Sequence, residues 1–459
     1  MKTPITDFLN EYAASGMSRF HMPGHKGQAL DSERFDITEV NGADSLYEAD
    51  GIIAESEANA AELFGTAATF YSVEGSSQCI RAMLALVTKW EDPAPSDITY
   101  RPARPVILAA RNVHRSFLTA AALLDLDVDW LYPENDDFTL CSCPVSAEQV
   151  RNKLAEMPAA PCAVYLTSPD YLGGMQDIQG VADAAHEAGI PLIVDNAHGA
   201  YLAFLEPSLH PIALGADICC DSAHKTLPSL TGCAYLHISV EAADKDKYIS
   251  YARRALSMFG STSPSYLLLR SLDQTNACLA EGFRRELDAC VRKVAACREQ
   301  LRALGWKVSG GEPLKITIFA GQSGVSGISL ADELRTRGIE CEYADRDYVV
   351  LMPSPFNKEE DFGKLVAAME QIVAGAGVQI AARPLMRPEK VITIRKAMFA
   401  ASEEIPASLS EGRILADAAL SCPPAVPILI CGERIPEGAA ETFAAYGIDK
   451  VIVTKGKYQ

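Results

Sequence analysis

Between residues 67 and 238 the chain alternates short aliphatic or β-branched runs with amphipathic helical patterns, and this alternation limits the fold more than any other feature. AATFYSV (67–73) is followed by SSQCIRAMLALVTKW, and PVILAA (105–110) by HRSFLTAAALL. Then come VDWLY, CAVYLT (162–167), the helix-like VADAAHEAG, PLIVD (191–195), ADICCD and CAYLHI. The runs are the length of strands, and the intervening stretches carry the 3.6-residue period of helices. Such βαβα order predicts an α/β fold with a mainly parallel sheet covered by helices on both faces. Near residue 240 the pattern turns helical, from VEAADKDKYISYARRAL to the long segment ending at Gly305. Beyond it LKITIFA, LADELRTRG and CEYADRDYVVLMPSP predict a smaller α+β unit. The expected division is an N-terminal arm over 1–60, a large domain over 61–300 and a C-terminal domain over 301–459.

The 459 residues are enough for two or three domains. A formal net charge of -19 disfavours nucleic acid and anionic membranes as partners. The 13 cysteines are scattered, with no C-x-x-C pair, and read as small core residues of a reducing compartment. MKTPITDFLNEYAASG lacks the apolar stretch of a signal peptide, and no run reaches the 18 or so apolar residues of a membrane helix. A cytoplasmic location is expected.

Four features fall at the carboxyl ends of predicted strands, where open parallel sheets bind ligands. Gly75-Ser76-Ser77 lies between a strand and a helix, so it is either a phosphate cradle or an ordinary N-cap. Asp195 ends an apolar strand with His198 three residues on, suited to holding a proton on a ligand nitrogen, binding a metal or capping the turn. Lys225 sits among Ser222, His224 and Thr226; no G-x-x-x-x-G precedes it, so a nucleotide loop is excluded, while a pocket lysine could form an imine. His114 follows another strand end and could stack on a ring or start a helix. Singly each is ambiguous. In order, Gly-Ser-Ser, His114, Ser168, Asp195 and, thirty residues later, Lys225 describe a pyridoxal 5′-phosphate site.

FHMPGHKG (20–27), DITEVNGADSLYEADGIIAESEANAAELFG, RNVHRS, TSPDYLGGMQDI, VDNAHGA, DSAHKTLPSLTG, STSPSYLL (261–268) and PPAVPILICGERI together resemble the bacterial ornithine/lysine/arginine decarboxylase family, of the aspartate aminotransferase fold. The chain is similar to the short form, without the receiver-like N-terminal domain of the large members. The resemblance implies that Lys225 carries the cofactor, His114 stacks on its ring and Asp195 pairs with the pyridine nitrogen. Ser76, Ser77, Ser222 and His224 would surround the phosphate, with Ser168 also at the cofactor and His198 near the imine. Thr262 and Ser263 would reach the neighbouring subunit's site, which implies a homodimer or a multiple of it.

Asn196 stands where many short members carry Glu, Tyr201 where they carry His, and Asp221 where Gln is common; Cys431 replaces a proline, and PPAVP a PPGxP. The implied substrate is a basic amino acid, arginine ahead of lysine and ornithine, with Asp44, Asp170 and Glu433 as acids for its side-chain cation. The expected reaction is decarboxylation to an amine and carbon dioxide. An aminotransferase or β-eliminating lyase of the same fold, and a silent regulatory homologue, are the competing readings.

Overall fold

The computed structural model describes residues 1–28, 30–88, 104–134, 141–372, 374, 386–418, 420–422 and 426–456. Each of the seven apolar runs forms a strand: β1 Ala68–Ser72, β2 Val106–Ala110, β3 Asp127–Leu131, β4 Ala163–Thr167, β5 Leu192–Asp195, β6 Ile218–Asp221 and β7 Ala234–Ile238. The helical pattern after β1 is the helix Ser76–Thr88; Lys89 and Trp90 of that pattern lie outside the described residues. Among the described residues no helix is long and apolar enough to cross a membrane.

The chain forms two compact units. The first comprises Met1–Ala103, Ala147–Ser168 and Asp177–Arg285, the second Arg104–Ser146, Pro169–Gln176 and Glu286–Gln459. In the first, the strand order is β1-β7-β6-β5-β4. β4 and β6 both run parallel to β5, whereas β7 is antiparallel to β6 and to β1. The reversal at β7 follows from its connection, which holds only the four-residue helix Ala223–Thr226 and no crossover helix. β5, β6 and β7 are buried at every position, as strands covered on both faces must be.

Three helices follow β7: Lys245–Ser257, Tyr266–Ala280 and Phe283–Ala303. They answer to the helical pattern read beyond residue 240. In the second unit β2 and β3 pair in parallel. Ile316–Ile318, Val349–Leu351 and Tyr343–Ala344 form an antiparallel sheet, and Ser402–Pro406 pairs with Lys450–Thr454. A core of Tyr171, Leu172, Tyr348, Val350, Leu415, Ile428 and Phe443 binds these pieces together.

The helix Ile52–Phe64 places Phe64 against an aromatic nest, with ring centroids 5.2 Å from Phe204, 5.3 Å from Tyr235 and 4.5 Å from His237. Phe64→Ala is expected to lower unfolding free energy by about 3–5 kcal/mol. Urea titration should show a lower midpoint with an unchanged slope; a shift below about 1 kcal/mol would mean that the nest closes over the gap.

Candidate active site

Because β7 runs against its neighbours, the carboxyl ends of β1, β4, β5 and β6 share one edge of the first unit. Register makes them a row: Thr167 opposite Asp195, Asp195 opposite Cys220, Asp221 opposite Tyr235 and Ser72 opposite Ala234. The chain therefore leaves this edge at Gly75, Ser168, Asn196 and Ser222, the segments that carry most of the sequence-predicted residues.

Lys225 lies half-buried on the Ala223–Thr226 turn, its Nζ 3.1 Å from Nε2 of the buried His198. Asp195 is 2% exposed. Its Oδ1 accepts from the Ala197 N–H at 3.1 Å, while Oδ2 accepts only a long bond, 3.4 Å, from the Tyr165 hydroxyl. Burial pushes the Asp195 carboxyl above its usual range, and the Lys225 ammonium pulls it back. Ser222 donates to Ser76 Oγ at 2.7 Å, joining the start of the helix Ser76–Thr88 to the loop after β6. Gly75, at φ +70°, turns the chain into that helix with open space where a side chain would stand. Ser77 beside it is half-buried. His224 Nδ1 faces the Cys233 carbonyl at 3.0 Å, so that nitrogen carries the proton and Nε2 is left as an acceptor. Ser168 is buried and its N–H donates to the Asp195 carbonyl at 3.0 Å.

Thr262 and Ser263 are exposed, on a turn where the Ser263 N–H donates to Ser261 Oγ and the Ser261 N–H to Glu74, the residue before Gly75, at 3.4 Å. Asp44 lies elsewhere in the first unit, where its carboxylate accepts from the N–H groups of Ser45, Asp50, Gly51, Ile53 and Ala54 and so caps the helix Ile52–Phe64. In the second unit, His114 accepts the Ser116 N–H at 3.1 Å as N-cap of the helix Arg115–Leu124. Asp170 Oδ1 takes the N–H groups of Leu172 and Gly174, at 2.9 and 2.7 Å. Glu433 Oε2 takes Arg111 Nη2 at 2.9 Å and the Ile430 N–H at 2.7 Å, in an ion pair that is 0% and 3% exposed. Burial raises the Glu433 carboxyl against the pull of Arg111.

Sequence reasoning missed the network behind the row. The fully buried Asp221 accepts from Asn196 Nδ2 at 2.6 Å through Oδ1, and from Nε2 of His210 and His237 at 3.0 and 3.2 Å through Oδ2. His237 Nδ1 continues to Thr69 Oγ1 at 2.8 Å. Burial pushes the Asp221 carboxyl up, but attraction to the two imidazoles and their hydrogen bonds outweighs it and holds the group below its usual range. Burial lowers His237 against the pull of Asp221. Two of the family departures, Asn196 and Asp221, are thus bonded to each other. The signal was there in the two polar residues that follow apolar strands, but their pairing depends on strand register.

The family profile described as Orn/Lys/Arg decarboxylase, major domain, matches residues 3–320, and the chain belongs to this family of amino acid decarboxylases. It is 30% identical over 467 residues to an arginine decarboxylase of Bacillus subtilis (strain 168), covering 95% of this chain and 92% of that relative. Its fold is similar to that of the Francisella novicida lysine decarboxylase LdcF, with TM-score 0.78, 16% identity, and coverage of 98% of this chain and 79% of the other. The constitutive lysine decarboxylase of E. coli gives 0.76, 18%, 99% and 82%.

Asp221→Asn is expected to cost about 2–4 kcal/mol, since it removes the charge that three buried donors share. Sign follows from the shifts: the folded state resists protonation of Asp221 and of His237. Wild-type stability should therefore fall as pH drops below the ordinary histidine value of about 6.5, and further below that of Asp, about 3.9. Urea midpoints measured from pH 8 to about 3 check both; equal midpoints for the two proteins would remove Asp221 from the framework.

Proposed function

We propose that the chain is a pyridoxal 5′-phosphate-dependent decarboxylase of a basic amino acid, with arginine preferred over lysine and ornithine. The carrying observation is the row of a lysine amine, an imidazole 3.1 Å from it and a buried carboxylate whose Oδ2 has room for a further donor. That donor set fits the cofactor. Bound there, pyridoxal phosphate would supply the electron sink that decarboxylation at an α-carbon needs.

The chain's own residues divide the remaining work. Lys225 offers the amine that holds the cofactor, and His198 shares a proton with it across 3.1 Å. Asp195 keeps a carboxylate against the ring nitrogen. Ser76, Ser77 and Ser222 are the proposed phosphate donors, with His224 beside them, at the N-terminus of a 13-residue helix whose dipole favours the anion. Ser168 fixes the turn beside Asp195. The role of His114 rests on the family resemblance. Of the acids named for the substrate's cation, Asp44 is occupied at both oxygens by backbone N–H groups, and Asp170 by two backbone N–H groups and the Ser142 side chain. Glu433 puts both of its bonds on Oε2, so its Oε1 makes it the acid carried forward.

Borohydride reduction and peptide mapping should place the pyridoxyl mass on the peptide containing Lys225. Asp195→Asn should keep the cofactor yet lower turnover on the order of 100-fold. Without cofactor the same change should leave stability equal or higher: the folded pKa of Asp195 is raised, so its charge disfavours folding at neutral pH. Carbon dioxide release is to be screened with arginine, lysine, ornithine and neutral amino acids. Turnover of the neutral ones alone would refute the substrate class, and a keto acid or ammonia as product would favour transamination or β-elimination.

The active unit is proposed to be a homodimer with shared sites. Thr262 and Ser263 stand exposed, and the FHMPGHKG segment exposes Phe20 by 96% and Met22 by 68%. Mixing a Lys225→Ala chain with a Thr262→Ala/Ser263→Ala chain and allowing subunits to exchange should restore part of the activity. Proven exchange without recovery would show self-contained sites.

A further inference from the structure

The amino ends of β5 and β6, opposite the Lys225 edge, open on a cleft of about 180 Å³ in the first unit. Its polar wall is formed by His186, Asp217, Glu241, Asp244 and Tyr248, and Ile190 contributes an apolar side. Asp217, 5% exposed, immediately precedes β6; its Oδ2 accepts from His186 Nε2 at 2.7 Å and from the Leu192 N–H, the first of β5, at 2.8 Å. Among the described residues none donates to its Oδ1. Tyr248, 4% exposed on the helix Lys245–Ser257, likewise has a hydroxyl without a hydrogen-bond partner. Two side chains more than nine-tenths buried therefore turn toward the cleft acceptor capacity that no described residue fills.

The charges around them favour a cationic donor. Glu241 and Asp244 are exposed at the mouth, and Asp244 does not use its carboxylate to cap its own helix. Of the bases on flanking elements, Lys245 Nζ donates to the Val240 carbonyl at 2.8 Å, and Arg151 pairs with Glu187 at 2.7 Å. Burial, with the Asp244 and Asp217 charges, raises the Tyr248 phenol and keeps it neutral. A hard metal ion would want six or more oxygens. The Ile190 side chain and the Tyr248 ring instead suit methylene groups behind an ammonium.

We infer that this cleft binds the primary ammonium group of an alkylamine, seated on Asp217 Oδ1 and the Tyr248 hydroxyl with Asp244 and Glu241 at its entrance. The choice of amine rests on the decarboxylase reading, because such an enzyme releases an amine. The cleft lies the length of a four-residue strand, about 10 Å, from Asp195, so it is distinct from the row that carries Lys225.

The test uses holoenzyme reduced with borohydride, which closes the cofactor lysine to amines. Equilibrium dialysis against radiolabelled 1,4-diaminobutane at low salt is expected to show one molecule bound per chain. Tyr248→Phe and Asp244→Ala should each weaken binding at least tenfold, as should Asp217→Asn. Because Asp217 also anchors Leu192, the Tyr248 and Asp244 variants carry the test if Asp217→Asn does not fold. Absence of binding, binding unchanged in both of those variants, or a site that takes calcium or magnesium in preference to the diamine would each overturn the assignment. A failed carbon dioxide screen with intact diamine binding would sink the substrate reading and leave the cleft standing.

Discussion

A buried carboxylate, Asp221, ties together the parts of the first unit on which the candidate site depends. It joins the end of β6 to the turn after β5 through Asn196, to a connecting loop through His210, and to β7 through His237. Through His237 the chain of bonds reaches Thr69 in β1. An ionised group with no exposed surface is tolerated only when donors surround it, so these four segments have little freedom to move apart. Asp195 and Ser222, each adjacent to a member of the network, inherit that rigidity. The residues proposed to hold the cofactor are thus positioned by neighbours that are not.

The two buried carboxylates of this region face opposite demands. Asp221 is satisfied by three donors and is held below its ordinary range. Asp195, one strand away, has one backbone bond, one long phenolic one and one from the Cys220 thiol at 3.8 Å, and burial holds it above its range. The difference marks one as framework and the other as a group awaiting a partner. The same reasoning separates the proposed substrate acids: Asp44, with five backbone donors, is a helix cap, whereas Glu433 keeps one oxygen free of hydrogen bonds beside its pairing with Arg111.

At opposite ends of β5 and β6 the first unit presents two different kinds of polar edge. The carboxyl edge offers an amine, hydroxyls and a helix N-terminus, which suit a phosphorylated, anionic cofactor. The amino edge offers Asp217, Glu241 and Asp244, which suit a cation. Strands four residues long separate them, a distance over which a shift in one pair of strands would be felt at both ends.

The sequence by itself determined the seven strands, because unbroken apolar runs bounded by turn residues have few alternatives, and it determined which residues stand at their ends. It also carried the order of Ser76, His114, Ser168, Asp195 and Lys225, since those positions are set by local strand–turn chemistry. Only the tertiary structure decided which strand ends are neighbours. The reversal of β7 aligns Ser72 with the ends of β4, β5 and β6, and strand register brings Asn196 to Asp221 across twenty-five residues of chain. The composition of each unit from three separate stretches was equally out of reach, because local patterns carry no record of which distant segments share a core. The use of a carboxylate as cap, framework or ligand depends on how many donors surround it, and donors arrive from segments far apart in sequence.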